Sequence, residues 1–245
     1  MHLKTKPCII LVKPQMGENI GAAARAMLNF GLTDLRLVRP RDGWPSAEAE
    51  AMSSGALEKM PPVRIYDSLA ESLADIHLAL ATTARPRDMT KPVYTPKGAA
   101  ELICDNGSAG MKCALVFGCE RAGLDNEDVS LTHGIITIPT NPDFSSLNLA
   151  QSVLLLCSAA FAAQDETPNQ ALPMGGSEPA THEAIDNFFQ RLENELESRN
   201  FFRAPEMQGL TMNNIRNFFL RAHPSDQEIR TLHGIVSALI GNKIK

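Results

Sequence analysis

The sequence predicts an α/β protein: a parallel sheet covered by helices, followed by a small all-helical extension. Short apolar runs rich in β-branched residues alternate with segments of helical periodicity up to residue 163. Residues 164–181 are rich in Pro, Gly, Ser and acids, and residues 182–245 have helical patterns without strands. Such alternation is typical of a parallel sheet with both faces buried. We expect a domain over 1–163, a linker over 164–181 and a helical extension over 182–245.

The individual elements follow from periodicity and from the turn residues that bound each segment. Strands are predicted over 8–13, 35–38, 63–66, 76–82, 113–117 and 135–138. Helices are predicted over 20–30, 47–57, 68–74, 96–103 and 146–163. Ligands bind outside the carboxyl ends of the strands in such folds, so the loops that follow the strands are the candidate site.

The extension carries three apolar stripes at helical spacing, which we expect to pack on one another, on a partner subunit, or on both. The first stripe is Ile185, Phe188, Phe189, Leu192 and Leu196. The second is Ile215, Phe218 and Phe219. The third is Ile229, Leu232, Ile235, Val236 and Leu239.

Composition is that of an ordinary globular protein: 245 residues, 44% hydrophobic and 21% charged. The five cysteines include no CxxC pair, so we expect small buried hydrophobes in a reducing compartment. The N-terminus lacks the apolar core of a signal peptide, and no apolar run is long enough to span a membrane. We therefore expect a cytoplasmic protein.

The net charge of −5 argues against a nucleic-acid coat over the whole surface, but not against a local basic patch. Three basic clusters lie near strand ends, where they favour an anionic partner, although each alone also fits a solvated surface. They are Arg36, Arg39 and Arg41; Arg85, Arg87 and Lys91; and His2, Lys4 and Lys6.

Residues 141–153 run from a polar, Pro-containing loop into an apolar helix. Ser145, Ser146 and Asn148 stand at this junction, and any of them could cap the helix. Three such residues are more than a cap needs. The unpaired N–H groups of the helix N-terminus could also bind a carboxylate or phosphate.

Two other strand-to-loop junctions have the same character. Gly118 ends a buried strand and permits close backbone approach to a ligand, and Glu120 follows it in what could also be an ordinary loop. Asn19 is a good helix-capping residue. Arg25 is the one long side chain among alanines, so it suits a phosphate or simply the surface. No Walker or dinucleotide glycine fingerprint occurs.

Together these segments form the pattern NxGxxxR, FGxExxGL and PxxxSSLNxAxSV, which resembles the three motifs of the TrmH-like branch of SPOUT RNA methyltransferases over most of residues 7–163. The stretch 82–87 (TTARPR) resembles the TSAR loop of TrmJ-type tRNA ribose methyltransferases. Cys119 departs from the family pattern because many relatives carry Arg there, and Ala122 replaces a larger apolar residue.

The resemblance implies a C-terminal trefoil knot with the 146–163 helix threaded through a loop, and a homodimer with its sites near the interface. It implies S-adenosylmethionine as the cofactor. No metal is expected, because the six histidines are scattered and no His/Cys/Asp/Glu cluster has ligand spacing. The cofactor-binding residues that it implies are Thr82, Thr83, Ala84, Gly118, Ile138, Ser145, Ser146 and Leu147.

The implied reaction moves a methyl group to a ribose 2′-hydroxyl of tRNA, at nucleotide 32 of the anticodon loop. The family assigns the central role to the arginine of the first motif, here Arg25. A guanidinium is a poor base at neutral pH, so we interpret this residue as a phosphate clamp and stabiliser of the developing alkoxide. The catalytic set carried over is Arg25, Asn19, Glu120, Ser146 and Asn148.

Contacts to tRNA are expected from two regions, the TSAR-like loop with Arg85 and Arg87 and a helix of the extension with Arg216 and Arg221. The extension helix could instead present a merely solvated face. Two alternative functions stay open: ribose methylation of rRNA by a related enzyme, and RNA binding without catalysis. A nicotinamide dehydrogenase is disfavoured because its glycine fingerprint is missing.

Overall fold

The computed structural model of the protein describes residues 4–85, 89–168, 174–202 and 204–241. The chain divides into two compact units, residues 1–167 and residues 168–245. The division falls inside the segment predicted as a linker.

The first unit is built on a seven-stranded sheet in which every strand pairing is parallel. Strands β1 to β7 are Cys8–Val12, Leu35–Val38, Arg64–Tyr66, Leu78–Thr82, Val93–Tyr94, Cys113–Phe117 and Gly134–Ile136. They lie side by side in the order β3-β2-β1-β6-β4-β7-β5. The predicted parallel sheet is confirmed, with β1, β6 and β4 at its centre. Their carboxyl ends meet at one edge of the sheet.

Seven helices flank the sheet in the described part of this unit. Helices α1 to α7 are Gly17–Asn29, Ala47–Ser53, Ala56–Lys59, Leu69–Ser72, Pro96–Ser108, Asn126–Ser130 and Leu149–Ala162. Side chains of α1, α5 and α7 share one core with Ile9 and Leu11 of β1. Side chains of α4 and α6 share a second core with Ile10 and Val12. Burial on both faces explains why the central strands are apolar without alternation.

The structure differs from the predicted elements at several places. The segment 47–57 is two helices rather than one, because Ser54 and Gly55 take positive φ angles of 51° and 80°. The strand predicted over 135–138 ends at Ile136. β5 and α6 were not predicted, since they span only two and five residues. Such short elements leave no readable periodicity.

The second unit is a bundle of three helices: α8 (His182–Ser198), α9 (Pro205–Ala222) and α10 (Asp226–Leu239). The predicted mutual packing of the stripes is confirmed by a core of Ile185, Phe188, Phe189, Met212, Ile229 and Val236. Phe218, Ile235 and Leu239 are exposed in the single chain, so for them packing on a partner subunit stays a prediction. On α9 the buried stripe passes through Met212, Ile215 and Phe219, and Phe218 lies about 100° away from Phe219 around the helix.

The five cysteines are free thiols. Cys8, Cys113 and Cys157 are buried as predicted, whereas Cys104 and Cys119 are half-buried. Burial raises the pKa of Cys157 to about 12, which keeps this thiol protonated and unreactive at neutral pH. None of the helices in the described ranges is long and apolar enough to cross a lipid bilayer.

Arg36 is not the surface residue that its place in a basic cluster predicted. It is 1% exposed within β2, and its guanidinium donates to Asp75 Oδ1 at 2.5 Å and Asp34 Oδ2 at 3.1 Å. It also donates to the carbonyl oxygen of Ser72 at 2.6 Å. Asp34 and Asp75 precede β2 and β4, so this network lies at the amino edge of the sheet and contributes to stability.

Asp75 should make the free energy of unfolding depend on pH in the acidic range. The hydrogen bond from Arg36, with help from Lys112, holds the pKa of Asp75 well below its usual range. A carboxyl group with a lowered folded-state pKa stabilises the fold above its unfolded pKa of about 3.9 and loses that contribution as pH falls.

We expect Asp75→Asn to lower the free energy of unfolding at pH 7 by about 1–2 kcal/mol. The loss is smaller than for a fully buried pair, because Asp75 is 40% exposed and Arg36 keeps Asp34. The gap between variant and wild type should narrow below about pH 4. Urea unfolding across pH measures both. Lys97→Gln, at an 87% exposed side chain, is the control; equal stability of all three proteins at pH 7 would contradict the prediction.

Candidate active site

A cavity of about 340 Å³ opens at the carboxyl edge of the sheet. Three stretches of chain line it, after β4, after β6 and between β7 and α7. The lining residues are Thr82, Thr83, Ala84, Arg85, Phe117, Gly118, Cys119, Glu120, Arg121, Ala122, Gly123, Ile138, Ser145, Ser146, Leu147, Leu149 and Ser152. All eight residues predicted for cofactor binding are among them, although the first and the last of the eight are more than sixty positions apart in sequence.

Gly118 is required by the chain itself. A Cβ atom on Gly118 would lie 2.1 Å from the carbonyl carbon of Gly123 and 2.1 Å from the nitrogen of Leu124. The loop returns this closely because Gly123 takes a φ of 69° and donates its N–H to the carbonyl of Cys119 at 2.8 Å. The backbone of residues 123 and 124 therefore lies against Gly118, which also lines the cavity, and the close approach of a ligand to Gly118 stays a prediction.

A hydrogen-bonded chain of three side chains joins the three motifs. Asn19 Nδ2 donates to Glu120 Oε1 at 2.8 Å, and Asn148 Nδ2 donates to Asn19 Oδ1 at 2.9 Å. Glu120 also accepts from the backbone N–H groups of Gln15 at 2.9 Å and Met16 at 3.2 Å. The motifs predicted to act together are thus physically joined, with the carboxylate of Glu120 at the N-terminus of α1, where the helix dipole favours negative charge.

The structure corrects two capping predictions. Asn19 does not cap α1: it lies buried in the first turn, and the N-cap position is Met16, which has no side-chain cap bond. Among Ser145, Ser146 and Asn148, only Asn148 caps α7, accepting from Ala150 N at 2.9 Å and Gln151 N at 3.3 Å. Both serines lie before the helix, in a loop that borders the cavity.

Thr82 presents the one buried side-chain polar atom without a hydrogen-bond partner in the described residues. Its Oγ1 lies at the end of β4, in the wall of the cavity. Thr83 is satisfied instead, because its hydroxyl accepts from the N–H of Arg85 at 3.1 Å. A buried hydroxyl without a partner is costly, so a ligand that offers it a hydrogen bond would gain affinity.

Arg25 does not line the cavity of its own chain. It is exposed on α1 and donates to the hydroxyl of Ser54 at 3.0 Å. It lies eight residues beyond Gly17, which is roughly 12 Å along the helix from the end that faces the site. Of the predicted catalytic set, Asn19, Glu120 and Asn148 are joined by hydrogen bonds, and Glu120 and Ser146 line the cavity. Arg25 belongs to neither group.

The arginines predicted to contact RNA have different surroundings. Arg85 is exposed at the mouth of the cavity, and Arg87 lies outside the described residues. In the second unit, Arg216 pairs with Asp186 at 2.5 Å and lies 4.8 Å from the ring centre of Phe189. Arg221 is exposed near the end of α9. Lys91, from the same predicted cluster as Arg85, donates to the backbone carbonyls of Ser130 and Thr132.

Two features of the site were not singled out in the sequence. Ser152 borders the cavity from the first turn of α7 and donates to the carbonyl of Asn148 at 3.1 Å. The amides of Gln15 and Met16 bind Glu120. The helical spacing of Ser152, four residues after Asn148, could have identified it in the sequence. The two backbone amides could not be identified, because a backbone amide is not specified by the residue type.

Across the described ranges, no three His, Cys, Asp or Glu residues are grouped so as to hold a metal ion.

Comparisons with known proteins define the family. Residues 6–158 match the SpoU rRNA methylase family, and residues 183–244 match the C-terminal domain of the tRNA methyltransferase TrmJ. The chain is 35% identical over 234 residues to tRNA (cytidine/uridine-2'-O-)-methyltransferase TrmJ of Klebsiella pneumoniae, covering 94% of this chain and 95% of that protein. It therefore belongs to the SpoU methylase family and, within it, to the TrmJ group.

Solved structures agree with this assignment. The crystal structure of TrmJ from Z. mobilis is 43% identical, with a TM-score of 0.80, over 95% of this chain and 98% of that one. The SpoU methyltransferase AviRb from Streptomyces viridochromogenes, solved with the cofactor AdoMet, is 19% identical with a TM-score of 0.51, covering 64% of this chain and 57% of that one. That second likeness shows a shared fold. The resemblance predicted from the motifs is confirmed.

The carboxylate of Glu120 should hold the three motifs in place. In Glu120→Gln one oxygen becomes an NH₂ group that faces another donor, either Asn19 or the amide of Gln15. We expect the free energy of unfolding to fall by about 1–3 kcal/mol, measured by urea denaturation. Glu127→Gln, the same change at an exposed carboxylate of α6, is the matched control. If both variants lost the same free energy of unfolding, the hydrogen bonds of Glu120 would not stabilise the contacts between the three motifs.

Proposed function

We propose that the protein methylates the ribose 2′-hydroxyl of a cytidine or uridine in tRNA, with S-adenosylmethionine as methyl donor, at nucleotide 32 of the anticodon loop. One observation carries the proposal: the second and third family motifs line one cavity together with the TSAR-like loop, and a hydrogen-bonded chain joins these two motifs to the first motif on α1. The match of the second unit to the TrmJ C-terminal domain supports tRNA as the substrate. Such an enzyme would meet its substrate in the cytoplasm.

The cavity suits the proposed cofactor. Its volume of about 340 Å³ falls within the range of small-molecule sites. The unpartnered hydroxyl of Thr82 offers a hydrogen bond, and Ser145 and Ser146 offer more. We expect Thr82, Thr83, Ala84, Gly118, Ile138, Ser145, Ser146 and Leu147 to hold the cofactor. When bound, it supplies a methyl group on a positively charged sulfur, and AviRb is a precedent for its binding on this fold.

The chain's own task is to align the ribose and to manage charge on its oxygen. A 2′-hydroxyl is a weak nucleophile, so it must lose its proton or have its developing negative charge stabilised. We assign the stabilising role to Arg25, because a guanidinium remains charged at neutral pH. Asn19, Glu120 and Asn148 keep the loops in register, and Ser146 borders the site where the ribose would lie.

The position of Arg25 favours a homodimer in which this residue serves the cavity of the other subunit. Within one chain it lies away from the cavity, on an exposed helix face. The same unit exposes apolar side chains that a subunit contact would cover: Met52 on α2 and Leu154 and Leu155 on α7. We also expect α7 to be threaded through a loop, forming the knot that the family resemblance implies.

For RNA contacts we propose Arg85 and Arg87 beside the cavity, and Arg216 and Arg221 on the helical unit. Arg221 is the stronger candidate of the second pair, because its guanidinium has no ion-pair partner in the described residues. Arg216 already pairs with Asp186 and keeps only part of its donor capacity. A catalytically silent RNA-binding protein is disfavoured, because the cavity and the Asn19–Glu120–Asn148 chain are both present.

The direct test incubates the protein with tritium-labelled S-adenosylmethionine and unmodified tRNA transcripts. We expect label in tRNA and, by ribose-methylation mapping, a single site at nucleotide 32. A transcript with 2′-deoxycytidine or 2′-deoxyuridine at position 32 is the matched control, because it lacks the acceptor oxygen. Labelling of rRNA fragments but not tRNA would support the alternative substrate, and binding of tRNA without labelling would contradict catalysis.

The source of Arg25 can be tested with mixed dimers of two differently tagged chains. One chain carries Arg25→Ala; the other carries Ala84→Trp, which fills the cavity and should abolish cofactor binding by calorimetry. If Arg25 acts across the interface, the mixed dimer retains one complete site and about half of wild-type activity. Both parent homodimers should be inactive.

The reciprocal mixture pairs a wild-type chain with a chain that carries both substitutions. It should be inactive if Arg25 acts across the interface and about half-active if it acts within its own chain. An inactive first mixture with an active second one would overturn the assignment. Failure to isolate any mixed dimer would argue against a dimer.

A further inference from the structure

Four neighbouring strands are each followed by a basic residue at the carboxyl edge of the sheet. Arg39 follows β2, Lys13 follows β1, Arg121 lies after β6 and Arg85 lies after β4. These strands are adjacent in the order β2-β1-β6-β4 and run parallel, so the four residues form a row across three interstrand spacings, roughly 15 Å. We call Arg39, Lys13, Arg121 and Arg85 the basic row.

Three members of the basic row have no ion-pair partner in the described residues. Arg39, Arg85 and Arg121 are exposed and make no ion pair within the described ranges, whereas Lys13 pairs with Asp125 at 3.2 Å. The charge of Arg39 opposes the rise that Asp125 causes in the pKa of Lys13, which indicates that these neighbours interact.

Three carboxylates of this edge are already engaged. Glu120 is hydrogen-bonded by Asn19 and two backbone amides, Asp125 is paired with Lys13, and Asp42 is paired with Arg41 at 2.7 Å. In the described parts of the chain, the guanidinium groups of Arg39, Arg85 and Arg121 are exposed and have no ion-pair partner, even though the whole chain is acidic.

The backbone of the row is also unusual. Lys13 and Arg39 have φ angles of 50° and 45°, in the left-handed region that L side chains rarely adopt and glycine adopts freely. Lys13 donates its N–H to Val38 at 2.7 Å and Arg39 donates to Tyr66 at 3.1 Å, so the sheet fixes both positions. Arg39 is exposed at this position, so its long cationic side chain is accessible to a ligand.

We propose that the basic row binds the sugar–phosphate backbone of the substrate RNA next to the nucleotide held in the cavity. Arg85 and Arg121 line the cavity, and Lys13 and Arg39 extend the row away from it. Guanidinium groups bind phosphate through paired N–H donors. The proposal rests on RNA methylation as the function and adds where the strand runs. Arg39, at the far end, binds a phosphate remote from the reacting ribose and contributes to affinity.

The sharpest test is Arg39→Gly in the full-length protein, because glycine removes the cation and suits the positive φ. The thermal unfolding midpoint should be unchanged or higher. Filter binding of an unmodified tRNA transcript at several KCl concentrations should show weaker binding at low salt, with the slope of log affinity against log salt reduced by about one. Affinity for S-adenosylmethionine and turnover at saturating tRNA should match the wild type.

Two further variants guard the interpretation. Arg39→Asn also tolerates a positive φ and should reproduce the binding defect. Lys59→Gln removes an exposed cation that precedes β3, toward the opposite edge, and should leave affinity and salt slope unchanged. If Lys59→Gln lost as much tRNA affinity as Arg39→Gly, the loss would reflect the overall charge of the protein. The basic row would then not be an RNA-binding site.

The remaining outcomes separate this proposal from the function itself. If Arg39→Gly binds tRNA like the wild type at every salt concentration while both methylate it, the basic row is wrong and the function stands. If the wild type methylates no RNA, the proposed function fails, whatever Arg39 binds. If the variant loses binding to phosphatidylserine vesicles but keeps tRNA affinity, the row belongs to a membrane surface and the proposal is overturned.

Discussion

The arrangement of the carboxyl edge depends on the carboxylate of Glu120. A charged group that is partly removed from water is tolerated only when its oxygens are hydrogen-bonded. Here the two amides that precede α1 and the side chain of Asn19 supply three donors. Asn19 in turn accepts from Asn148, the residue that caps α7. The loop after β6 is therefore joined to α1 by one acidic side chain and, through Asn19, to the N-terminus of α7.

The two edges of the sheet use arginine in opposite ways. At the amino edge, Arg36 is buried and its guanidinium is hydrogen-bonded to two carboxylates and a carbonyl oxygen. These bonds connect β2 to the segment before β4. At the carboxyl edge, Arg39, Arg85 and Arg121 remain exposed and unpaired within the described residues. Both kinds of residue looked alike in the sequence, where Arg36 and Arg39 are three positions apart. What separates them is the location of their acids, which only the fold decides.

Much of the fold could be predicted because apolar runs and helical periodicity are local signals. The cavity residues could be predicted from the motif order, since parallel strands bring their following loops to one edge. The sequence could not reveal contacts between distant positions: Asn19 bonds to a carboxylate 101 residues away, and Arg216 to an acid 30 residues earlier. Local ambiguity also remained where several residues had the same propensity, as with Ser145, Ser146 and Asn148 before α7. The knot, which depends on threading, stays a prediction.

The bond between Asn148 and Asn19 spans 129 residues, and this separation bears on how the protein is made. Contacts between distant positions form late, because a long loop must close before they add stability. A nascent chain that has folded β1 and α1 still lacks the partner for Asn19 until α7 has left the ribosome. The binding site is thus completed only after most of the first unit has been synthesised, because one of the residues that join its motifs is the one that caps α7.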